Sequence, residues 1–326
     1  MLNFAIQVRS LRKSFKSVEA LKGIDLEVAS GTIFGLLGPN GAGKTTAVRI
    51  LSTIIPPDSG HASVLGKDVV HEPDAVRRHI GIAGQNAAVD PDLTGRENLQ
   101  MIGRLARMSR REVKRRASEL LESFDLAEAG NRPLRTYSGG MRRRLDVAAA
   151  LVQKPPVIFL DEPTTGLDIQ SRMVLWEHIK HLVAEGATIL LTTQDLHEAD
   201  LLADRIAVID KGLVVAEDTA PALKARLGTT VVELMMASEE AGSKVQELLS
   251  QRMAEHVERD GMEVSVRSQD GTTVLVDALR ILDPEGLTPE KISVREPSLD
   301  DVFLSLTGNK AEGAEAASGF EEGDAS

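Results

Sequence analysis

Apolar and polar positions alternate along residues 4–8 and 24–28, the period of a half-buried strand. Ile33, Phe34, Leu36 and Leu37 form a more continuous apolar run, which predicts a central strand, and residues 44–51 follow as a helix. Thr94 and Glu97 have capping-box spacing and open another helix. The next helix carries Val113, Ala117, Leu120, Leu121 and Phe124 on one face. Arg110, Arg111, Lys114, Arg115 and Arg116 accompany it; this basic run reads either as a solvated face or as a contact for lipid headgroups or a partner. An Ala- and Leu-rich helix runs from Met141 to about Gln153 and stops before Pro155 and Pro156. A buried strand at residues 157–160, a helix at 171–184, a strand at 188–193 and a helix at 195–203 complete the alternation. Apolar strands alternating with helices imply an α/β fold with a mostly parallel sheet.

The pattern changes near Gly228. Residues 230–236, 262–267 and 273–276 read as strands and 244–252 as a helix, so residues 229–307 form a small α+β appendage. Residues 309–326 are small and acidic and are expected to be a disordered tail.

Composition narrows the function classes. Of 326 residues 42% are hydrophobic but only 3% aromatic, so the core must be aliphatic. The net charge of -11 argues against a protein that coats nucleic acid, which needs a basic surface. There is no cysteine, which excludes disulfides and thiolate metal sites and suits a reducing cytoplasm. Arg9, Arg12, Lys13 and Lys16 break any early signal-peptide run. No segment approaches the ~20 apolar residues of a membrane span, so the expectation is a chain soluble by itself.

Three motifs carry chemistry. Gly38, Pro39, Asn40, Gly41, Ala42, Gly43, Lys44 and Thr45 fit the phosphate-binding loop, between a strand and a helix as that motif requires. Its glycines turn successive N–H groups toward one anion, and the helix start adds positive potential. Lys44 should reach the β- and γ-phosphates and the Thr45 hydroxyl should ligate Mg²⁺. Asp161 and Glu162 end the apolar strand at 157–160, where ligands bind in open α/β sheets. Asp161 can hold Mg²⁺ through water, and Glu162 is then the general base for an attacking water. Ser138, Gly139 and Gly140 begin the Ala-rich helix and form a second possible anion cradle, or an ordinary Ser cap. Two cradles and one set of acids either close on one nucleotide or are shared between two chains.

With these motifs in this order, residues 4–220 resemble the ATP-binding subunits of ABC transporters, a P-loop NTPase fold with antiparallel β and helical subdomains, here about 4–228 with the helical part near 93–135. Residues 38–45 look like Walker A, Tyr137 to Met141 like the signature, Ile158 to Glu162 like Walker B and Gly166 to Asp168 like the D-loop. The resemblance implies ATP and Mg²⁺ as cofactors. It extends the nucleotide site to Phe15, stacked on adenine, to Thr46, to Gln85 in the Q-loop and to Asp168, with Gln85 joining Thr45 and Asp161 around the metal. Stacking alone leaves ATP and GTP undistinguished. It also implies a head-to-tail dimer, in which one subunit's Ser138, Gly139 and Gly140 meet the γ-phosphate held by the other.

Two positions depart from the family pattern. Met141 stands where the signature usually has Gln, and Gln194 where the switch His stands. Gln194 can donate an amide hydrogen bond but cannot become a cation. His197 lies close by in sequence, but an exposed helix position is its ordinary reading. These departures, with residues 137–146, 198–210 and 298–304, are similar to the daunorubicin/doxorubicin resistance ATP-binding proteins. That resemblance implies an ATPase that energises export of a hydrophobic drug through a separate membrane permease, from the cytoplasmic face of the membrane. The alternatives are a soluble ABC-type ATPase acting on ribosomes or nucleic acid, and a regulatory subunit that binds ATP with little hydrolysis.

Overall fold

The alternating segments at the start of the chain extend further than their sequence pattern. A computed structural model describes residues 3–84, 89–226, 230–253, 256–268 and 271–307. In it β1 (Phe4–Phe15) and β2 (Val18–Ala29) make one long antiparallel hairpin, with Ile6, Val8, Leu11, Leu21, Ile24, Leu26 and Val28 buried. β3 (Ile33–Leu37) is buried at every position and leads into α1 (Lys44–Leu51). β4 (Ser59–Val64) and β5 (Lys67–Asp68) complete a four-stranded antiparallel sheet in the order β2-β1-β4-β5.

The chain then passes through α2 (Pro73–Arg77) and β6 (Ile80–Ala83) into the helical part, α3 (Gly95–Leu105) and α4 (Arg110–Ser123). The capping box opening α3 is closed in both directions, Glu97 N–H to Thr94 Oγ1 at 3.1 Å and Thr94 N–H to Glu97 Oε2 at 2.9 Å. The basic run on α4 mostly faces solvent, while Arg116 turns inward to the Leu151 carbonyl at 2.9 Å. α5 (Gly139–Ala150), β7 (Val157–Asp161), α6 (Ile169–Ala184), β8 (Thr188–Thr193), α7 (Leu196–Leu202), β9 (Arg205–Asp210) and β10 (Leu213–Asp218) finish this unit. Its central sheet has the order β10-β9-β3-β8-β7-β6, parallel except for the β9–β10 pair. This is the expected α/β class. No helix among the described residues is long and apolar enough to cross a membrane.

A second unit begins at Thr219. It contains α8 (Ala220–Ala225), β11 (Thr230–Met235), α9 (Glu239–Arg252), β12 (His256–Asp260), β13 (Glu263–Ser268), α10 (Gly271–Leu282), β14 (Lys291–Arg295) and α11 (Leu299–Thr307). The antiparallel sheet, ordered β12-β13-β11-β14, has the βαββαβ path of a ferredoxin-like unit. Val232, Leu234, Val264 and Val266 on one sheet face pack against Val245, Leu249, Val274, Ala278 and Leu282 of the helices. The strand expected at 273–276 lies inside α10. Val274, Ala278 and Leu282 recur every four residues and all three are buried, a helical stripe that outweighs the strand preference of Thr273 and Val274. The expected acidic tail at 309–326 lies outside the described residues.

Candidate functional site

Sheet order brings the separated motifs together. β8 lies between β3 and β7, all parallel, so the carboxyl ends of these three strands are neighbours. The loop after β3, the acids at the end of β7 and Gln194 after β8 therefore share one rim.

The loop needs its glycines for space as well as conformation. A Cβ on Gly38 would lie 2.2 Å from the Ile209 carbonyl oxygen. Gly43 has φ of 112°, in the left-handed region, and its Cβ would meet the Ala20 carbonyl at 2.6 Å. Asn40 and Gly41 are exposed at the loop crest, Pro39 is half-buried, and Ala42 is buried. α1 begins at Lys44 with no side-chain cap, which suits an external anion at its first turn, where Thr45 and Thr46 are half-buried. The Lys44 ammonium is 3% exposed and folds back onto the loop, donating to Gly38 O at 2.6 Å and Pro39 O at 3.1 Å. It also lies 3.4 Å from Glu162 Oε1.

The two acids are buried and held differently. Asp161 Oδ1 accepts from the Thr192 hydroxyl at 2.5 Å and from Thr45 Oγ1 at 3.3 Å. Glu162 has φ of 49°, a left-handed conformation that costs a non-glycine residue energy. Its N–H is fixed by Thr192 O at 3.1 Å and Thr192 Oγ1 at 3.0 Å, and its Oε2 accepts from Thr165 Oγ1 at 3.3 Å. Gln194 is half-buried beside this rim, and its Oε1 is buried without a hydrogen-bond partner.

Ser138 caps α5, its Oγ accepting from Met141 N–H at 3.2 Å. Ser138 and Gly139 are exposed, whereas Gly140 is buried with Ser171 Oγ 2.4 Å from where its Cβ would be. Asp168 is the N-cap of α6, accepting from Ser171 N–H at 2.9 Å and Ser171 Oγ at 2.8 Å. Phe15 ends β1 with its ring 43% exposed and the Lys13 ammonium 5.7 Å from the ring centre. Gln85 lies outside the described residues. His197 is exposed, its ring edge-on to Trp176 at 5.6 Å.

Sequence patterns did not single out three residues that shape this site. Thr192 holds both acids, as described. Glu198 on α7 is fully buried and accepts from Trp176 Nε1–H at 2.9 Å; burial pushes its carboxyl above the usual range against that hydrogen bonding. Arg143 on α5 reaches the backbone of both acids, Asp161 O at 3.0 Å and Glu162 O at 2.9 Å. Burial pulls its guanidinium below the usual value, while Asp146, Asp161, Glu198 and Glu162 hold it up. The only sequence signal for Arg143 is the run of three arginines, of which any could have faced inward.

This constellation can cradle a polyphosphate, offer it one ammonium, and place a carboxylate beside it. Comparison with known proteins agrees. The family model described as ABC transporter matches residues 21–165. The daunorubicin resistance ATP-binding protein DrrA2 of Streptomyces coeruleorubidus is 50% identical over 97% of this chain and 99% of its own. The Nod factor export ATP-binding protein I of a Rhizobium species is 38% identical over 96% of this chain and 100% of its own. Among solved structures, a dimeric ATP-binding cassette in a post-hydrolysis state with ADP and Pi aligns with a TM-score of 0.61 and 27% identity, covering 66% of this chain and 98% of that one. With half its residues shared along nearly its whole length with such a relative, the chain belongs to the ABC transporter ATPases, in the group of daunorubicin/doxorubicin resistance ATP-binding proteins.

Proposed function

We propose that this ATPase is the motor of an exporter, and that it drives efflux of a hydrophobic drug of the anthracycline kind through a separate membrane permease. The carrying observation is the contact set of Lys44, Glu162, Asp161, Thr45 and Thr192 at one strand rim. In this reading Lys44 leaves its loop carbonyls for the β- and γ-phosphates when ATP binds. Glu162 takes the proton of the attacking water, and Gln194 donates an amide hydrogen bond to the γ-phosphate. Thr45 and Asp161 offer two hard oxygen donors 3.3 Å apart, a set that fits Mg²⁺, which would neutralise phosphate charge.

Two surfaces support the partners. Ser138 and Gly139 stand in solvent at a helix start, available to the γ-phosphate held by a second subunit in a head-to-tail dimer. An apolar groove of about 410 Å³ is lined by Ile54 beyond α1, Ile80 and Ile82 of β6, and Ile102 of α3. It joins the nucleotide-binding helix to the helical part and suits a permease helix. ATP closes the dimer and hydrolysis reopens it, so energy passes to the permease through a two-state closure. Affinity purification of the tagged chain tests this. A co-purifying multi-span membrane protein, with drug efflux lost when either is deleted, is expected; ribosomes in its place overturn the reading.

A further inference from the structure

Arg143 occupies a place in the site that neither the signature motif nor the acids explain. It lies one turn into α5, and its side chain is 13% exposed. Nε donates to Pro163 O at 2.7 Å, and one terminal nitrogen donates to Asp161 O at 3.0 Å and Glu162 O at 2.9 Å. The other donates to Gly84 O at 2.5 Å and Asp146 Oδ2 at 3.2 Å. A guanidinium has five N–H groups, and each has an acceptor here. Three of these acceptors are the consecutive carbonyls around Glu162, the residue whose backbone is left-handed. Its neighbours do other work: Arg142 is exposed and Arg144 donates to Phe124 O at 3.1 Å.

We infer that Arg143 is a positioning residue that couples the two nucleotides of the dimer, tying the helix that starts with Ser138 and Gly139 to the backbone carrying Glu162. This rests on the composite-site reading above. There, the start of α5 contacts the nucleotide of the partner subunit, while Glu162 acts on the nucleotide in its own loop. A short helix moves as a rigid rod, so a displacement at Ser138 reaches Arg143 without loss. The fork of Arg143 then carries it to the carbonyls on either side of the base. Glu162 is drawn into line only when the opposite site has engaged α5, which makes turnover depend on both sites being filled.

The test is steady-state ATP hydrolysis by the full chain, with binding of a fluorescent ATP analogue and a thermal melt followed by Trp176 fluorescence. Arg143→Lys keeps the charge but cannot span three carbonyls. It is expected to lower kcat by about tenfold or more while KM stays within about threefold, with the Hill coefficient falling toward about 1. Arg144→Lys should leave all three near wild type. Asp146→Asn, which takes the charge from one anchor of the fork and so weakens it, should lower kcat in the same direction by less, and decides the matter if Arg143→Lys does not fold. Wild-type kcat and Hill coefficient in a folded Arg143→Lys, or in Asp146→Asn where Arg143→Lys does not fold, overturn the inference. So does an equal kcat loss in Arg144→Lys. Glu162→Gln in the same assay separates the two levels. If it is inactive while Arg143→Lys is normal, only the coupling fails; if it turns over normally, the ATPase site assignment fails and the coupling falls with it.

Discussion

Thr192→Val isolates one hydrogen bond behind the two buried acids. Thr192 is fully buried in β8, and its hydroxyl donates to Asp161 Oδ1 at 2.5 Å while accepting from Glu162 N–H at 3.0 Å. Valine keeps the shape and removes both contacts. Glu162 N–H retains the Thr192 carbonyl at 3.1 Å, so the loss falls on Asp161, a carboxylate only 4% exposed. A hydrogen bond to a charged group contributes about 1.5–3 kcal/mol, so the substitution should cost about 2 kcal/mol. In a unit of some two hundred residues that lowers Tm by about 4–8 °C. Trp176 is the chain's one tryptophan and is buried in this unit, so its fluorescence follows the right transition. Thr192→Ser keeps the hydroxyl and loses one methyl, and should cost about 1 kcal/mol or less. A Thr192→Val protein melting within about 1 °C of wild type, or a Thr192→Ser protein falling as far, refutes the reasoning.

Two further outcomes follow from the geometry. Gly38→Ala places a methyl 2.2 Å from the Ile209 carbonyl, so β3 and β9 must part at the loop; a fluorescent ATP analogue should no longer bind at concentrations that saturate the wild type. Glu198 has its carboxyl raised above the ordinary 4.5 by burial, so folding penalises the charged form. That penalty is absent below pH 4.5 and grows as pH rises through the raised value. Glu198→Gln, which keeps an acceptor for the Trp176 N–H, should therefore stabilise the protein in urea melts at neutral pH and lose that gain in acid.

Much of the site was legible because its chemistry is local. The glycines of residues 38–43, the acids after the apolar strand at 157–160 and the Thr94 capping box are each defined by a few consecutive residues. Their convergence was legible only through the rule that strand ends carry ligands. Which strands are neighbours is a property of the sheet order. Arg143 escaped because the choice among three adjacent arginines is set by the rotation of α5 against β7, which no local pattern encodes. Glu198 escaped because a carboxylate is ordinarily solvent-facing, and beside the exposed His197 no local pattern marks it as the side chain that points inward. In the second unit, β12 and β14 are edge strands of five residues; β12 has one apolar position, and the alternation of β14 rests on Ile292 and Val294 alone, too short a pattern to mark a strand. Residues 273–276 look like a strand from their β-branched side chains until the buried spacing of Val274, Ala278 and Leu282 is seen.

In the proposed function Glu162 is the base of an ATP-hydrolysing site, and the loop with Lys44 is what binds the phosphates. The most direct measurement is phosphate release by Glu162→Gln against wild type, with ATP affinity measured on the same samples. The geometry predicts turnover lower by about 100-fold or more, the usual worth of a positioned base, with affinity within about threefold because the loop and Lys44 remain to hold the phosphates and only the 3.4 Å Lys44–Glu162 ion pair changes. Turnover within about twofold of wild type would contradict the assignment, since no general base placed there contributes so little.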